Sequence, residues 1–215
     1  MKFSRVVFCD FDGTITTKDT FVEVLEKFAP EVAAKLLPSI FERKITLKEG
    51  IKQTLGSIPS IYYPNIIEYI THRPIRPGLI EFANFLSDRS IPLVVISGGL
   101  TDMVEAVLKQ QQIINKVTAI HAGSVDTTGK LLQVCSTIES DTEFIAKVEA
   151  MAQYPAVERI AIGDSVTDIN MALAADLVFA RDRLVGYLDA ENKPYIEWQN
   201  FFEIRDYLAS LWQMD

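Results

Sequence analysis

The sequence predicts an α/β fold, a doubly wound parallel sheet with a small helical cap inserted after the first strand. Three observations carry this. Short continuous apolar runs recur at "RVVFC" (residues 5–9), "IPLVVI" (91–96) and "ERIAI" (158–162), and unbroken runs of this kind are what strands buried on both faces of a parallel sheet require. Each run ends in small or acidic residues, "DFDGT", "SGG" and "GDSVTD", instead of more core. Helix-like stretches separate the runs, and that alternation builds a Rossmann-like sheet whose chemistry collects beyond the carboxyl ends of its strands.

Taken in order, the first run leads directly into Asp10, Asp12 and the Gly13 turn. Residues 17–76 then break the rhythm. They show helical spacing of apolar positions without a convincing buried strand, and the far side is bounded by "HRPIRPG". They are expected to form a helical cap, hinged at 16–19 and 73–77, on a core of residues 1–16 and 77–215. The core resumes with a helix at "GLIEFANFLSDR", the second run, and a helix at "TDMVEAVLKQQQ". Next come a strand at "KVTAIHA" (116–122) and a hairpin "SVDTTGKLLQV" turning at Gly129. The stretch "SDTEFIAKVEAMAQ" reads as a helix with Ser140 and Glu143 as its capping box. After the third run a helix is expected to carry Asp164 and Asp168 on one face, followed by a strand at "DLVFA" (176–180). The C-terminal "YIEWQNFFEIRDYLASLWQ" is amphipathic and aromatic, suited to packing on the sheet.

Composition narrows the partners. The formal net charge is −8 at pH 7, and no Lys/Arg-dense stretch offsets it, which argues against nucleic acid or an anionic membrane surface. An anionic substrate therefore needs a local cation. No apolar run reaches the length of a membrane span, and the N-terminus meets acidic residues before a signal-peptide apolar region could be completed, so the cytoplasm is the expected location. Cys9 and Cys135 lie far apart in sequence and outside any metal-ligand spacing, as expected of reduced thiols. His72 and His121 lack a partner in a ligand pattern and read as structural.

Asp10 and Asp12 are two apart on an extended chain, so they project to the same side as neighbouring like charges. Such a pair costs energy unless a cation is held there. With Asp164 and Asp168 it makes four carboxylates and no histidine pair, a hard oxygen donor set that selects Mg²⁺. Given a metal, one aspartate of the first pair can attack phosphorus while the other serves as acid and base. Asp10 at the strand end is the candidate nucleophile, and Asp12, entering the turn, the acid/base. Ser97 and Gly98, with Gly99, offer a hydroxyl and unhindered N–H groups to phosphoryl oxygens. A "DxD" or an "SGG" alone is a weak signal. All three motifs in this order, each after an apolar run, are a strong one.

These residues carry a family resemblance. "DFDGT", "ISGG" and "GDSVTD" resemble motifs one, two and four of the haloacid dehalogenase superfamily of aspartate-nucleophile phosphatases, and the helical insert is similar to that of its phosphoserine-phosphatase-type branch. "KFAP", "TLKEGI", "LVFARD" and "FFEIR" extend a closer likeness to one metabolite phosphatase across nearly the whole chain. The resemblance implies Asp10 as nucleophile and metal ligand, and Asp12 as acid/base ligating through its carbonyl. It implies Asp164 as a ligand and Asp168 as support for the metal shell. Asp19 falls where related phosphatases place a substrate-facing acid; a helix N-terminal aspartate explains it equally well.

The superfamily's third motif supplies a Lys or Arg near the start of the helix before the last acidic pair. In "ESDTEFIAKVEA" that place holds Asp141, and Lys147 lies six positions on, on another face of the expected helix. Three readings stand: the register differs, a cation such as Lys18 or Lys130 enters from elsewhere, or turnover is impaired. The expected activity is Mg²⁺-dependent hydrolysis of a small phosphate ester through an aspartyl-phosphate. The alternatives are a phosphoserine-phosphatase-like enzyme, a weakly catalytic phosphometabolite-binding protein and a phospho-accepting signalling module.

Overall fold

A computed structural model describes residues 2–42 and 44–213. Among these, the strands are β1 (Phe3–Cys9), β2 (Leu93–Leu100), β3 (Ala119–Asp126), β4 (Gln133–Cys135), β5 (Ala156–Gly163), β6 (Leu177–Ala180) and β7 (Ile196–Glu197), in the order β4-β3-β2-β1-β5-β6-β7. Every pairing is parallel except β3 with β4, the hairpin expected around Gly129. β1 lies centrally because Val6, Val7, Phe8 and Cys9 have no polar face to show to water, and none of the four is exposed. From β1 the chain winds outward to β2 and β3, then returns to the other side at β5. That reversal, between β1 and β5, is the topological switch point where α/β sheets open a crevice.

The core helices are α5 (Leu79–Asp88), α6 (Thr101–Gln110), α7 (Lys147–Ala152), α8 (Ile169–Ala174), α9 (Asp182–Ala190) and α10 (Phe201–Trp212). α10 packs on α5, with Phe201 stacked on Phe82 and Trp212 on Phe85, which is the role expected of the aromatic C-terminal segment.

Between β1 and α5 the chain inserts α1 (Thr20–Phe28), α2 (Pro30–Phe41), α3 (Leu47–Leu55) and α4 (Tyr63–Thr71). α3 opens on a complete capping box, Thr46 with Glu49. The insert leaves and rejoins the core at one place. Thr16 bridges Ile75, Thr17 N donates to Pro74 O at 3.0 Å, and Arg76 N to Ile15 O at 2.8 Å. The buried Arg76 guanidinium also donates to the carbonyls of Gly13 and Thr14. The far end of the insert touches the core again. Lys48 N donates to Thr142 O at 3.1 Å, Lys52 Nζ to Glu139 at 2.7 Å, and Pro59 bridges Leu131.

Two expectations need correction, and two elements were not foreseen. Residues 140–146 are not helical, and α7 begins only at Lys147. Ser140 does accept from Glu143 N at 2.9 Å, but its own N–H donates to Glu143 O at 2.9 Å, which closes a tight turn instead of launching a helix. Phe144, Ile145 and Ala146 then run consecutively through the interior. Asp164 and Asp168 do not share a helix face. Asp164 follows β5, and Asp168 ends a short 3₁₀ turn (Val166–Asp168) with its carboxylate curled back to accept from Asp164 N and Ser165 N, both at 3.0 Å. Finally, α9 and β7 were not anticipated.

Candidate active site

Asp10 follows the last residue of β1 and is 2% exposed. Its Oδ1 accepts from Lys147 Nζ at 2.6 Å, and the same ammonium donates to Asp168 Oδ1 at 2.6 Å. Lys147 is therefore the buried cation of the site, and the first of the three readings, a shifted register, is the correct one. The late start of α7 makes Lys147 its first residue, so the side chain projects from the helix end into the carboxylates. Neither of the other candidates forms an ion pair with these carboxylates among the described residues. Lys18 is exposed, 3.8 Å from Glu23, and Lys130 is exposed on the hairpin turn.

Asp10, Asp164 and Asp168 each present an oxygen within 4.8 Å of the others. Thr14 Oγ1 donates to Asp164 Oδ1 at 2.8 Å. Gly13, at φ +84°, lets the chain pass close beneath Asp164, where a Cβ would come within 2.5 Å of Oδ2. Asp12 stands apart from this cluster. Its Oδ1 accepts from both the N–H and the hydroxyl of Thr20, the first residue of α1, and its Oδ2 from Ser97 Oγ at 2.9 Å. Ser97 is thus buried behind Asp12, accepts from Gly99 N at 2.9 Å, and does not line the cavity, whereas Gly98 does.

The electrostatics follow from crowding. Burial first, then Asp168, pushes the Asp10 carboxyl well above the usual carboxylate range, with Lys147 pulling it part of the way back. Burial and then Asp168 push Asp164 up to about 7. Burial raises Asp12 too, opposed by the hydrogen bonds from Thr20 and Ser97. Burial alone would depress Lys147, but Asp10 and Asp168 outweigh it and hold the ammonium charged. One ammonium against three clustered carboxylates leaves negative charge uncompensated, and Asp10 Oδ2 is buried without a hydrogen-bond partner. Three carboxylates gathered this closely against a single ammonium, with no nitrogen or sulfur donor among them, fit a hard divalent cation.

Above the carboxylates is a cavity of about 530 Å³, lined by Asp10, Asp12, Gly98 and Asp164 from the core and by residues of the insert, Asp19 among them. Asp19 also caps α1, its Oδ1 accepting from Val22 N at 3.0 Å. One side chain thus both caps the helix and lines the cavity. Surrounding protein and then Asp12 raise its carboxyl, although its exposure to water tempers that shift. A separate open cavity of about 690 Å³, lined by α1 and α4, shares no lining residue with the central cavity and includes His72. His121 is hydrogen-bonded to Tyr154 OH at 2.9 Å, and neither histidine lines the central cavity. Both cysteines are free, Cys9 buried and Cys135 exposed.

Sequence reasoning missed Thr14, Thr20 and Arg76, and left Lys147 as one of several candidate cations. The signal for Lys147 was the triplet "FIA" before it. Three consecutive apolar residues fit a segment crossing the core better than the exposed first turn of a helix.

A parallel sheet that gathers carboxylates and a buried lysine at its switch point, beneath an inserted helical cap, defines the class as a capped α/β phosphohydrolase. The chain belongs to the haloacid dehalogenase-like hydrolase family, whose model matches residues 7–173, and it is a phosphatase of that family. It is 56% identical over 205 residues to the 2-hydroxy-3-keto-5-methylthiopentenyl-1-phosphate phosphatase of Microcystis aeruginosa, covering 95% of this chain and 98% of the relative. The enzyme of the same name from Bacillus mycoides is 32% identical over 212 residues, covering 92% and 93%. Among solved structures, a phospho-aspartyl intermediate analogue of phosphoserine phosphatase superposes with a TM-score of 0.70 at 19% identity, over 96% of this chain and 99% of that one. A substrate-bound phosphoserine phosphatase complex gives 0.72 at 18%, over the same shares. At those identities the likeness establishes the fold. No described helix is long and apolar enough to cross a membrane.

Proposed function

We infer that the protein is an Mg²⁺-dependent phosphomonoesterase acting on 2-hydroxy-3-keto-5-methylthiopentenyl-1-phosphate, a step of methionine salvage, with residues 17–76 as cap and 1–16 and 77–215 as catalytic core. The observation that carries this reading is the 56% identity, spanning nearly both chains, to phosphatases of that name. The carboxylate cluster supports the metal. Asp10, Asp164 and the main-chain carbonyl of Asp12 would hold Mg²⁺, with Asp168 in support, and the ion would supply charge neutralisation for the phosphoryl group.

Asp10 is the nucleophile. Lys147 fixes its Oδ1 and leaves Oδ2, the oxygen without a partner, to attack. A bond forms between that oxygen and phosphorus while the ester P–O bond breaks, and Asp12 gives its proton to the departing alkoxide oxygen. Water then attacks the aspartyl-phosphate, Asp12 takes a proton back, and inorganic phosphate leaves Asp10. Burial, by raising the Asp12 carboxyl, makes it a competent proton donor, and its bonds to Thr20 and Ser97 keep it aimed. The binding-protein alternative rested on an absent lysine, and Lys147 removes its motive. A signalling module of the receiver type accounts for neither Asp12 nor the cap.

The test is phosphate release from the methylthiopentenyl ester and from phosphoserine, with and without chelator. Preference for the former by at least about tenfold, the least that one missing apolar contact is worth, is expected; preference for phosphoserine would overturn the substrate. Chelation should remove the activity, Mg²⁺ should restore it, Ca²⁺ should restore it poorly, and Asp164→Ala should raise the Mg²⁺ needed for half the maximal rate. An undiminished rate in chelator would remove the metal from the mechanism.

Asp19 faces the leaving group in this reading. Asp19→Asn keeps a good N-cap and removes the charge, whereas Asp19→Ala also loses the cap at about 1 kcal/mol. Asp19→Asn should therefore alter the ratio of kcat/KM between the two esters while leaving the melting temperature unchanged. An equal loss for both substrates would assign Asp19 to the general machinery instead.

A further inference from the structure

The cavity has two unlike ends. Its floor is the carboxylate cluster with Gly98, and its far wall comes from the insert: Phe21 and Val22 of α1, Leu37 and Ile40 of α2, and Leu47 and Ile51 of α3. Three helices each turn two apolar side chains toward one space. Around this wall the charged lining is mostly acidic, with Asp19, Glu23 and Glu26 in and before α1. The cations in the lining are Lys18 and Arg183, both exposed, and Lys18 lies 3.8 Å from Glu23. A leaving group bearing a carboxylate would face like charge here, with no buried cation in the wall to receive it. An alkyl or thioether end would instead leave water for aliphatic carbon.

We propose that this six-residue wall is a subsite for the apolar, thioether-bearing end of the leaving group, and that the enzyme measures chain length there. The proposal rests on the reading of the protein as a phosphatase of a methylthio-substituted ester. The floor fixes the phosphate, so every added methylene extends along the wall until it is filled. A cavity of about 530 Å³ is within the range that encloses ligands of this size. Each buried methylene should strengthen binding about fourfold, the factor that corresponds to ~0.8 kcal/mol.

The experiment is titration calorimetry of the Mg²⁺-loaded protein with alkylphosphonates from propyl to hexyl, which bind but cannot be hydrolysed. Affinity should rise about fourfold per methylene, and an amino-acid phosphonate of matching length should bind more weakly than its alkyl counterpart. In Leu47→Ala, a half-buried position that leaves the Thr46–Glu49 capping box intact, the increment should fall below about twofold as the wall recedes. Leu47→Met should keep it, because volume and polarity are nearly conserved. A flat series in the native protein, or tighter binding of the amino-acid phosphonate, would overturn the subsite. Parallel hydrolysis assays of the matching alkyl phosphates separate the two readings. Rising affinity without hydrolysis would uphold the subsite and defeat the phosphatase mechanism, and hydrolysis with flat affinity would do the reverse.

Discussion

Asp10→Asn should lower phosphate release by about four to six orders of magnitude, the scale of loss when a catalytic nucleophile is removed, in a protein that keeps its fold. The amide is nearly isosteric. Its Oδ1 can still accept from Lys147, so the ammonium keeps both of its partners. Meanwhile a carboxylate already pushed up by burial and by Asp168 is replaced by a neutral group, which relieves repulsion within the cluster. Thermal unfolding of the metal-free variant should therefore occur at or slightly above the native temperature. Residual hydrolysis within a hundredfold of native, in a variant with native unfolding behaviour, would move the nucleophile elsewhere.

Lys147→Met should have the opposite profile, losing stability as well as activity. The lysine is 1% exposed and is the only cation bonded to Asp10 and Asp168 among the described residues. Removing it leaves two carboxylates buried without a counter-charge, a change that costs about 3–5 kcal/mol when one partner of a buried ion pair is deleted. Mg²⁺ should recover part of that loss by binding the folded form alone, so the variant's melting temperature should respond to Mg²⁺ more steeply than the native one. A variant as stable as native without metal would show that the lysine contributes nothing net to the cluster.

Much of the architecture could be read before any coordinates, because its strongest signals are local. The runs that became β1, β2 and β5 are continuous and apolar, the Gly129 turn is short, and the acidic motifs sit where such runs stop. What escaped was decided by contacts distant in sequence or by weak local signals. α9 opens without a side-chain cap, carries Asp182 at φ +48° and has Gly186 in its middle, and β7 has only two residues. The Ser140–Glu143 pattern is the same whether it caps a helix or closes a turn, and only the burial of the next three residues decides. Asp168 looked like a helix-face residue, but the free N–H groups of Asp164 and Ser165 drew its carboxylate back. Arg76 stood in a stretch readable as a hinge, yet its partners, the carbonyls of Gly13 and Thr14, lie more than sixty positions away.

The bond between Lys147 and Asp10 spans 137 positions, and β1 pairs with β2 and β5, both far along the chain. Contacts of such separation close late, since the entropy of a long loop must be lost before the ladder forms. A chain made from its N-terminus therefore carries Asp10 and Asp12 as hydrated, ionised side chains through most of its synthesis, without Lys147 to pair with Asp10. Their withdrawal from water has to coincide with the docking of β5 and α7 against β1. The charge cluster is thus assembled only once β5 and α7 have joined β1, and a nascent chain that has not reached that stage has no organised catalytic centre.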